Sequence, residues 1–153
     1  MDDQQQKRTL EIIQSAREVK QAFHQVMSKA YQHLNITPIQ SFVLRKLSEK
    51  PGITLSELAE CIQLGKSTTS GIIDRMVRDQ LVSREQSSAD RRSVILKLLD
   101  KGELLLQRVR ENQIERMSPL LQMSDDEIDS LLRINQKIVR ILHQQLEEDT
   151  TYE

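Results

Sequence analysis

The chain of 153 residues carries 22 Lys+Arg against 23 Asp+Glu, a formal net charge of -1, with 37% apolar and only 3% aromatic residues. That length suits one domain, alone or with an attached dimerisation lobe, and without tryptophan its core has to be mainly Leu, Ile, Val and Met. One cysteine excludes an internal disulfide framework, Met1 to Arg8 has no apolar signal-peptide core, and no run approaches a membrane span. A soluble protein of the reducing cytoplasm is therefore expected.

From Leu10 to Leu34 the residues Leu10, Ile13, Ala16, Phe23, Val26, Met27, Ala30 and Leu34 recur at helical spacing. Thr37 before Pro38 reads as an N-cap with proline at the first helical position, opening a helix to about Leu47 that stops at Pro51-Gly52. Thr54 and Glu57 form a capping-box pair for the next helix, in which Leu55, Leu58, Ala59 and Ile62 make one apolar stripe. A break at Gln63-Leu64-Gly65 leads to a second short helix with Ile72, Ile73, Met76 and Val77 on its apolar face. Its first turns hold Lys66-Ser67-Thr68-Thr69-Ser70, and hydroxyls there reach phosphates and base edges when such a helix enters a major groove. Two short helices joined by a tight, Gly-containing turn predict a helix-turn-helix.

Two strand-like runs follow, Leu81 to Glu85 and Ser93 to Leu98, joined by the polar segment Gln86 to Arg92 that ends in Asp90-Arg91-Arg92. Each piece alone occurs in many helical domains, where a charged hairpin is an ordinary solvated loop. Their order and spacing favour a winged helix-turn-helix. Beyond the wing, Gly102 to about Met117 reads as a helix with Leu104, Leu105, Val109 and Ile114 apolar, interrupted by Pro119. Ser124 to Glu127 is another capping box with an acidic first turn. Behind it Ile128, Leu131, Leu132, Ile138, Val139, Leu142 and Leu146 form a long stripe that Ile134 and Ile141 widen.

The charge is unevenly spread. Residues 63 to 102 hold eight Lys/Arg against five Asp/Glu, whereas residues 103 to 153 hold six against eleven. Positive charge thus collects where a phosphate-facing surface is predicted, in modest excess, so two copies would bind DNA far better than one.

These residues resemble the MarR family of bacterial winged-helix transcription regulators. The resemblance is carried by Thr37-Pro38-Ile39-Gln40, Val43-Leu44, Leu47, Gly52-Ile53-Thr54 and Glu57-Leu58-Ala59. It continues through Ser67-Thr68-Thr69, Ile73-Asp74-Arg75-Met76, Leu81-Val82-Ser83-Arg84, Asp90-Arg91-Arg92 and Lys101-Gly102. It spans about residues 36 to 105, and the flanking helices fit in length and order without a motif of their own.

The resemblance implies one mainly α domain with a small β-hairpin wing. A winged helix-turn-helix lobe would cover about 36–100, dimerisation helices about 5–35 and 101–147, and an acidic tail 148–153. It implies a sequence-specific regulator of double-stranded DNA with no cofactor or metal, acting as a homodimeric repressor of a palindromic operator and released by a small-molecule effector. Ser67, Thr68 and Ser70 would touch bases and phosphates, with Lys66 and Arg91 on phosphate and Arg75 reaching the backbone or a base edge. Arg92 would enter the minor groove, whose narrow form has an enhanced negative potential. Asp74 approaches phosphate unfavourably, so it is expected to pair with a nearby Arg and brace the wing. Asp90 either orients a guanidinium or braces the wing in the same way.

Three positions depart from the family pattern. Gly71 lies inside the recognition helix, where glycine costs about 1 kcal/mol relative to alanine. Gln80 stands where a glycine usually ends that helix, and Leu99 where a threonine often caps the next, leaving Asp100 as the expected cap. For an effector cleft the polar candidates are His24, Tyr31, His33 and Arg45, with no pocket assigned.

Three other classes compete with this reading. Cys61, expected as a small buried or half-buried side chain, could make the chain a thiol-based redox sensor. A winged helix could also serve only to dock another protein, but the hydroxyl cluster and double-Arg wing argue for DNA. An enzyme is not expected, since His24, His33 and His143 have no metal spacing and no nucleophile, P-loop or dinucleotide motif is present.

Overall fold

Local capping chemistry sets most of the helix boundaries. The structure is a computed structural model that describes residues 2–87 and 93–150, the side chains of 148–150 excepted. Asp90, Arg91 and Arg92 therefore lie outside the described residues. Helix α1, Asp3–His33, starts where the Asp2 carboxylate accepts from the Gln5 N–H at 2.7 Å, well before the apolar stripe begins. Helix α2, Pro38–Glu49, is capped by Thr37, and α3, Leu55–Ile62, by Thr54, each in a reciprocal capping box. Helix α4 is Lys66–Arg78, strands β1 and β2 are Val82–Gln86 and Val94–Leu98, and α5 is Asp100–Met117. A short 3-10 helix, Ser118–Gln122, contains Pro119, and α6, Asp125–Thr150, is opened by the Ser124–Glu127 box. This is the mainly α, winged helix-turn-helix architecture expected.

Helices α1, α3 and α4 end alike. Asn35, Gln63 and Gln80 each take a left-handed conformation, with φ of 50°, 53° and 60°. In each case the next residue's N–H reaches back to a carbonyl five positions earlier: Ile36 to Tyr31, Leu64 to Ala59 and Leu81 to Met76. The turn of the helix-turn-helix is thus made by Gln63, while Gly65 is only the N-cap of α4, with φ of -61°. Gln80 takes the left-handed conformation that favours glycine, so α4 keeps its usual ending at a steric cost.

Strands β1 and β2 pair antiparallel from Val82 with Leu98 to Gln86 with Val94, one residue later than the sequence places the start of each. Ile53 adds a third edge: its carbonyl accepts from the Leu96 N–H at 3.0 Å, and the Leu96 carbonyl accepts from the Gly52 N–H. The base of the wing is therefore stitched to the entry of α3. Its side chains continue inward, where Leu96 and Val82 join Val43, Leu44, Leu47, Ile53, Leu58, Ile73 and Met76 in one buried cluster. Leu106 and Val109 of α5 close it.

Helix α5 begins at Asp100 itself, so Asp100 is its first helical residue rather than its cap, and acts with Glu103 on the helix dipole. Gly102 allows the close approach here. A Cβ at that position would lie 2.2 Å from the Leu81 carbonyl oxygen and 2.8 Å from Leu98 Cδ1.

The chain divides into two compact units, Met1–Arg116 and Met117–Glu153. In the first, α1 buries only Ala30, and Leu10, Ile12, Ile13, Val19 and Phe23 stay exposed. In the second, Leu131, Leu132, Ile134, Ile138, Val139, Ile141, Leu142 and Leu146 of α6 are exposed. No described helix is long and apolar enough to cross a membrane.

Candidate nucleic-acid interface

Helix α4 has one face given to the core and one left open. Thr69, Ile73 and Met76 are buried, whereas Lys66, Ser67, Thr68, Gly71, Asp74, Arg75 and Arg78 are exposed. The run of hydroxyls is divided accordingly. Ser67 and Thr68 face outward, while Thr69 is fully buried and its hydroxyl donates to the Gly65 carbonyl at 3.0 Å. Among the described residues no side chain caps the start of α4, because Gly65 occupies the N-cap. The first-turn N–H groups therefore have no intrahelical partner and, with Lys66 beside them, form a site suited to an anion.

Ser70 is half-buried, and its hydroxyl accepts from Arg84 Nη2 at 3.1 Å. The other guanidinium nitrogen of Arg84 is paired with the carboxylate of Asp74. Arg84 belongs to β1 and both its partners belong to α4, so one planar guanidinium joins the recognition helix to the first strand of the wing. The sequence suggested a bracing role for Asp74 but not its partner. On the wing itself Lys97 Nζ pairs with Glu85 Oε2 at 2.5 Å across the two strands. At the far end of α4, Lys101 Nζ donates to the Asp79 carbonyl at 2.7 Å, so α5 also steadies the helix.

Lys66, Ser67, Thr68 and Arg75 thus share the open face of α4. Ser70 lies at its edge and is already engaged by Arg84. Asp74 is on the same face with its charge neutralised. Arg78 is also exposed there, one turn beyond Asp74, and its i+4 spacing from Asp74 was the available signal.

Cys61 is exposed, against the expectation of a buried or half-buried side chain. It lies outside the stripe of Leu58, Ala59 and Ile62, and its side chain borders a groove with Pro38, Ile39 and Phe42. The effector candidates separate. Tyr31 and Arg45 meet in a cleft of about 120 Å³ with Ser41, Phe42, Arg110 and Gln113, where Gln113 Nε2 donates to the Tyr31 hydroxyl at 3.2 Å. His33 lines a different groove beside Arg108 and Glu111, and His24 is exposed on α1.

A MarR family model matches residues 36–94, which run from the start of α2 into β2. The chain is 36% identical over 110 residues to the Bacillus subtilis HTH-type transcriptional regulator YsmB, covering 69% of this chain and 75% of that one. The chain belongs to the MarR family. It is accordingly a winged-helix transcription regulator that binds DNA, and not an enzyme. Among solved structures, a MarR family protein from Bacillus stearothermophilus is 28% identical, with a TM-score of 0.78 over 95% of this chain and 98% of that one. A Staphylococcus aureus MepR mutant bound to an oligodeoxyribonucleotide shares the fold, at 22% identity and a TM-score of 0.64 over 86% of this chain and 97% of that one.

Proposed function

We propose that this MarR family member acts as a homodimeric repressor that reads a palindromic operator with one α4 per half-site and leaves it on binding a small-molecule effector. The observation that carries the reading is the open face of α4, with Lys66, Ser67, Thr68 and Arg75 beside an uncapped helix start and a wing braced by Arg84. Ser67, Thr68 and Ser70 would contact bases and phosphates, Lys66 would bind phosphate and Arg75 would reach the backbone or a base edge, while in the wing sequence Arg91 would bind phosphate and Arg92 would enter the minor groove. Asp74 braces the wing, and Asp90 either braces it in the same way or orients a guanidinium. The MepR relative's bound oligodeoxyribonucleotide supports this placement by analogy of fold.

Dimerisation is supported by the apolar residues that α1 and α6 leave exposed, since a monomer rarely carries so many. The lobe at about 36–100 would read DNA, the helices at about 5–35 and 101–147 would associate, and the protein would work in the cytoplasm. Of the effector candidates, Tyr31 and Arg45 share a cleft with Arg110 over Leu106 and Val109, too small at about 120 Å³ to hold a ligand without opening, and no effector pocket is assigned.

Fluorescence anisotropy against DNA upstream of the protein's own gene and a scrambled duplex, across a salt series, tests the reading. Preferential binding with a steep salt slope and two protomers per site is expected. Equal binding to both duplexes at every salt concentration contradicts it. The exposure of Cys61 favours one second reading, a thiol-sensing regulator. Loss of oxidant sensitivity in Cys61→Ser would support that reading, and unchanged sensitivity would end it.

A further inference from the structure

Gly71 occupies the centre of the open face of α4. One turn before it stand Ser67 and Thr68, one turn after it Asp74 and Arg75, and all four are exposed. Nothing among the described residues requires glycine at this position. Its φ is not positive, and a Cβ built there meets no atom within 4 Å. Gly102 shows the contrast, because there the Leu81 carbonyl would collide with a Cβ. A glycine in the middle of a 13-residue helix weakens it relative to alanine, so the fold alone would favour Ala at position 71. The open face of α4, which the proposed function turns toward DNA, is where a reason for glycine is to be sought.

We propose that Gly71 is a specificity-determining position, its missing side chain forming a notch that receives the 5-methyl group of a thymine in the major groove. This deepens the proposed function and rests on the placement of α4 in that groove. The thymine methyl is the apolar group the major groove offers, and it distinguishes T·A from the other base pairs. Thr68 and Arg75 rise on either side of the notch, so a base edge that enters it is flanked by a hydroxyl and a cation. An alanine methyl would occupy the space of the thymine methyl, and the two could not both be accommodated at the same helix depth.

The test uses the full-length protein and a duplex selected from a random pool by the wild type. Binding of wild type and Gly71→Ala is measured to that duplex and to versions with each thymine replaced by 2′-deoxyuridine, which lacks the methyl. Melting of both proteins is followed in parallel. Gly71→Ala is expected to melt higher and to bind the selected duplex on the order of tenfold more weakly. One thymine-to-uracil position in each half-site should weaken the wild type and restore the variant. A variant that binds the thymine duplex like the wild type overturns the inference and leaves the placement of α4 standing. Weaker binding with no uracil position that restores it also overturns the inference. If the wild type selects no sequence at all, the placement of α4 fails and the inference fails with it.

Discussion

Arg84 of β1 and Asp74 of α4, ten residues apart in the chain, form an ion pair, and the same guanidinium donates to Ser70. The pair is partly exposed, with side chains 29% and 54% accessible, so its direct contribution to stability is small, about 0–1 kcal/mol. Its larger consequence concerns DNA. A carboxylate on the face of α4 would repel phosphate, and Arg84 cancels that charge while fixing the angle between helix and wing.

Arg84→Met should therefore weaken DNA binding on the order of tenfold while shifting stability by less than about 1 kcal/mol. Adding Asp74→Asn should recover most of the lost affinity, because the unpaired carboxylate is then gone. Anisotropy titrations of the single and double variants at one salt concentration, with urea denaturation alongside, measure both effects. A double variant as weak as Arg84→Met alone would locate the effect in geometry and not in charge.

Gln80 ends α4 at a φ of 60°, a conformation that glycine adopts without the Cβ clash. Gln80→Gly should raise stability by about 1 kcal/mol in urea denaturation and leave DNA affinity unchanged. A loss of stability would mean that the Gln80 side chain makes a contact outweighing its backbone strain.

Gly102 predicts the opposite outcome. Gly102→Ala must push α5 away from the Leu81 carbonyl, which already accepts from the Leu99 N–H at 3.0 Å. A loss of about 1–3 kcal/mol is expected from overpacking at this junction. Because Lys101 also holds the end of α4, the same variant should weaken DNA binding. Urea denaturation and anisotropy on one preparation give both quantities.

The capping carboxylate of Glu57 carries a pH signature. Hydrogen bonds from Lys50, then from the Thr54 backbone and side chain, lower its pKa from the ordinary 4.5 to about 2. A group whose pKa is depressed by folding contributes stability that is present above pH 4.5 and is lost as pH falls from there towards 2. The melting temperature should fall across that window, and Glu57→Gln should flatten that part of the profile. Lys50, raised by the same hydrogen bond, gives the mirror case: its contribution is lost as pH rises beyond 10.5. A Glu57→Gln profile parallel to the wild type between pH 4.5 and 2 would show that the box does not govern acid stability.

The features legible from sequence are those whose physics is local. The Thr54–Glu57 and Ser124–Glu127 boxes and the Thr37-Pro38 start each involve residues within three positions of one another, so spacing alone reveals them. The apolar stripe of α6 is equally plain and its exposed residues follow it, whereas on α1 Ile12 and Val19 are exposed beyond the stripe read from spacing. What spacing could not reveal depends on contacts between elements. The Arg84 partnership needs the angle between β1 and α4, and the edge that Ile53 adds to the wing needs the return of β2. Cys61 was misjudged because it neighbours Ile62 in sequence, while the helix turns it out of the stripe formed by Leu58 and Ala59. The break at Gln63-Leu64-Gly65 is legible, but that its left-handed residue is Gln63 follows from the backbone bonds of the turn and not from residue type.

Selection of bound duplexes from a random pool by the full-length protein, followed by sequencing, tests the central claim most directly. A braced α4 on each of two associated protomers predicts enrichment of an inverted repeat, with half-site centres about 10 base pairs, or a multiple of that, apart. Enrichment of a single unsymmetrical site, or of none, would contradict a dimer that reads a palindrome through α4.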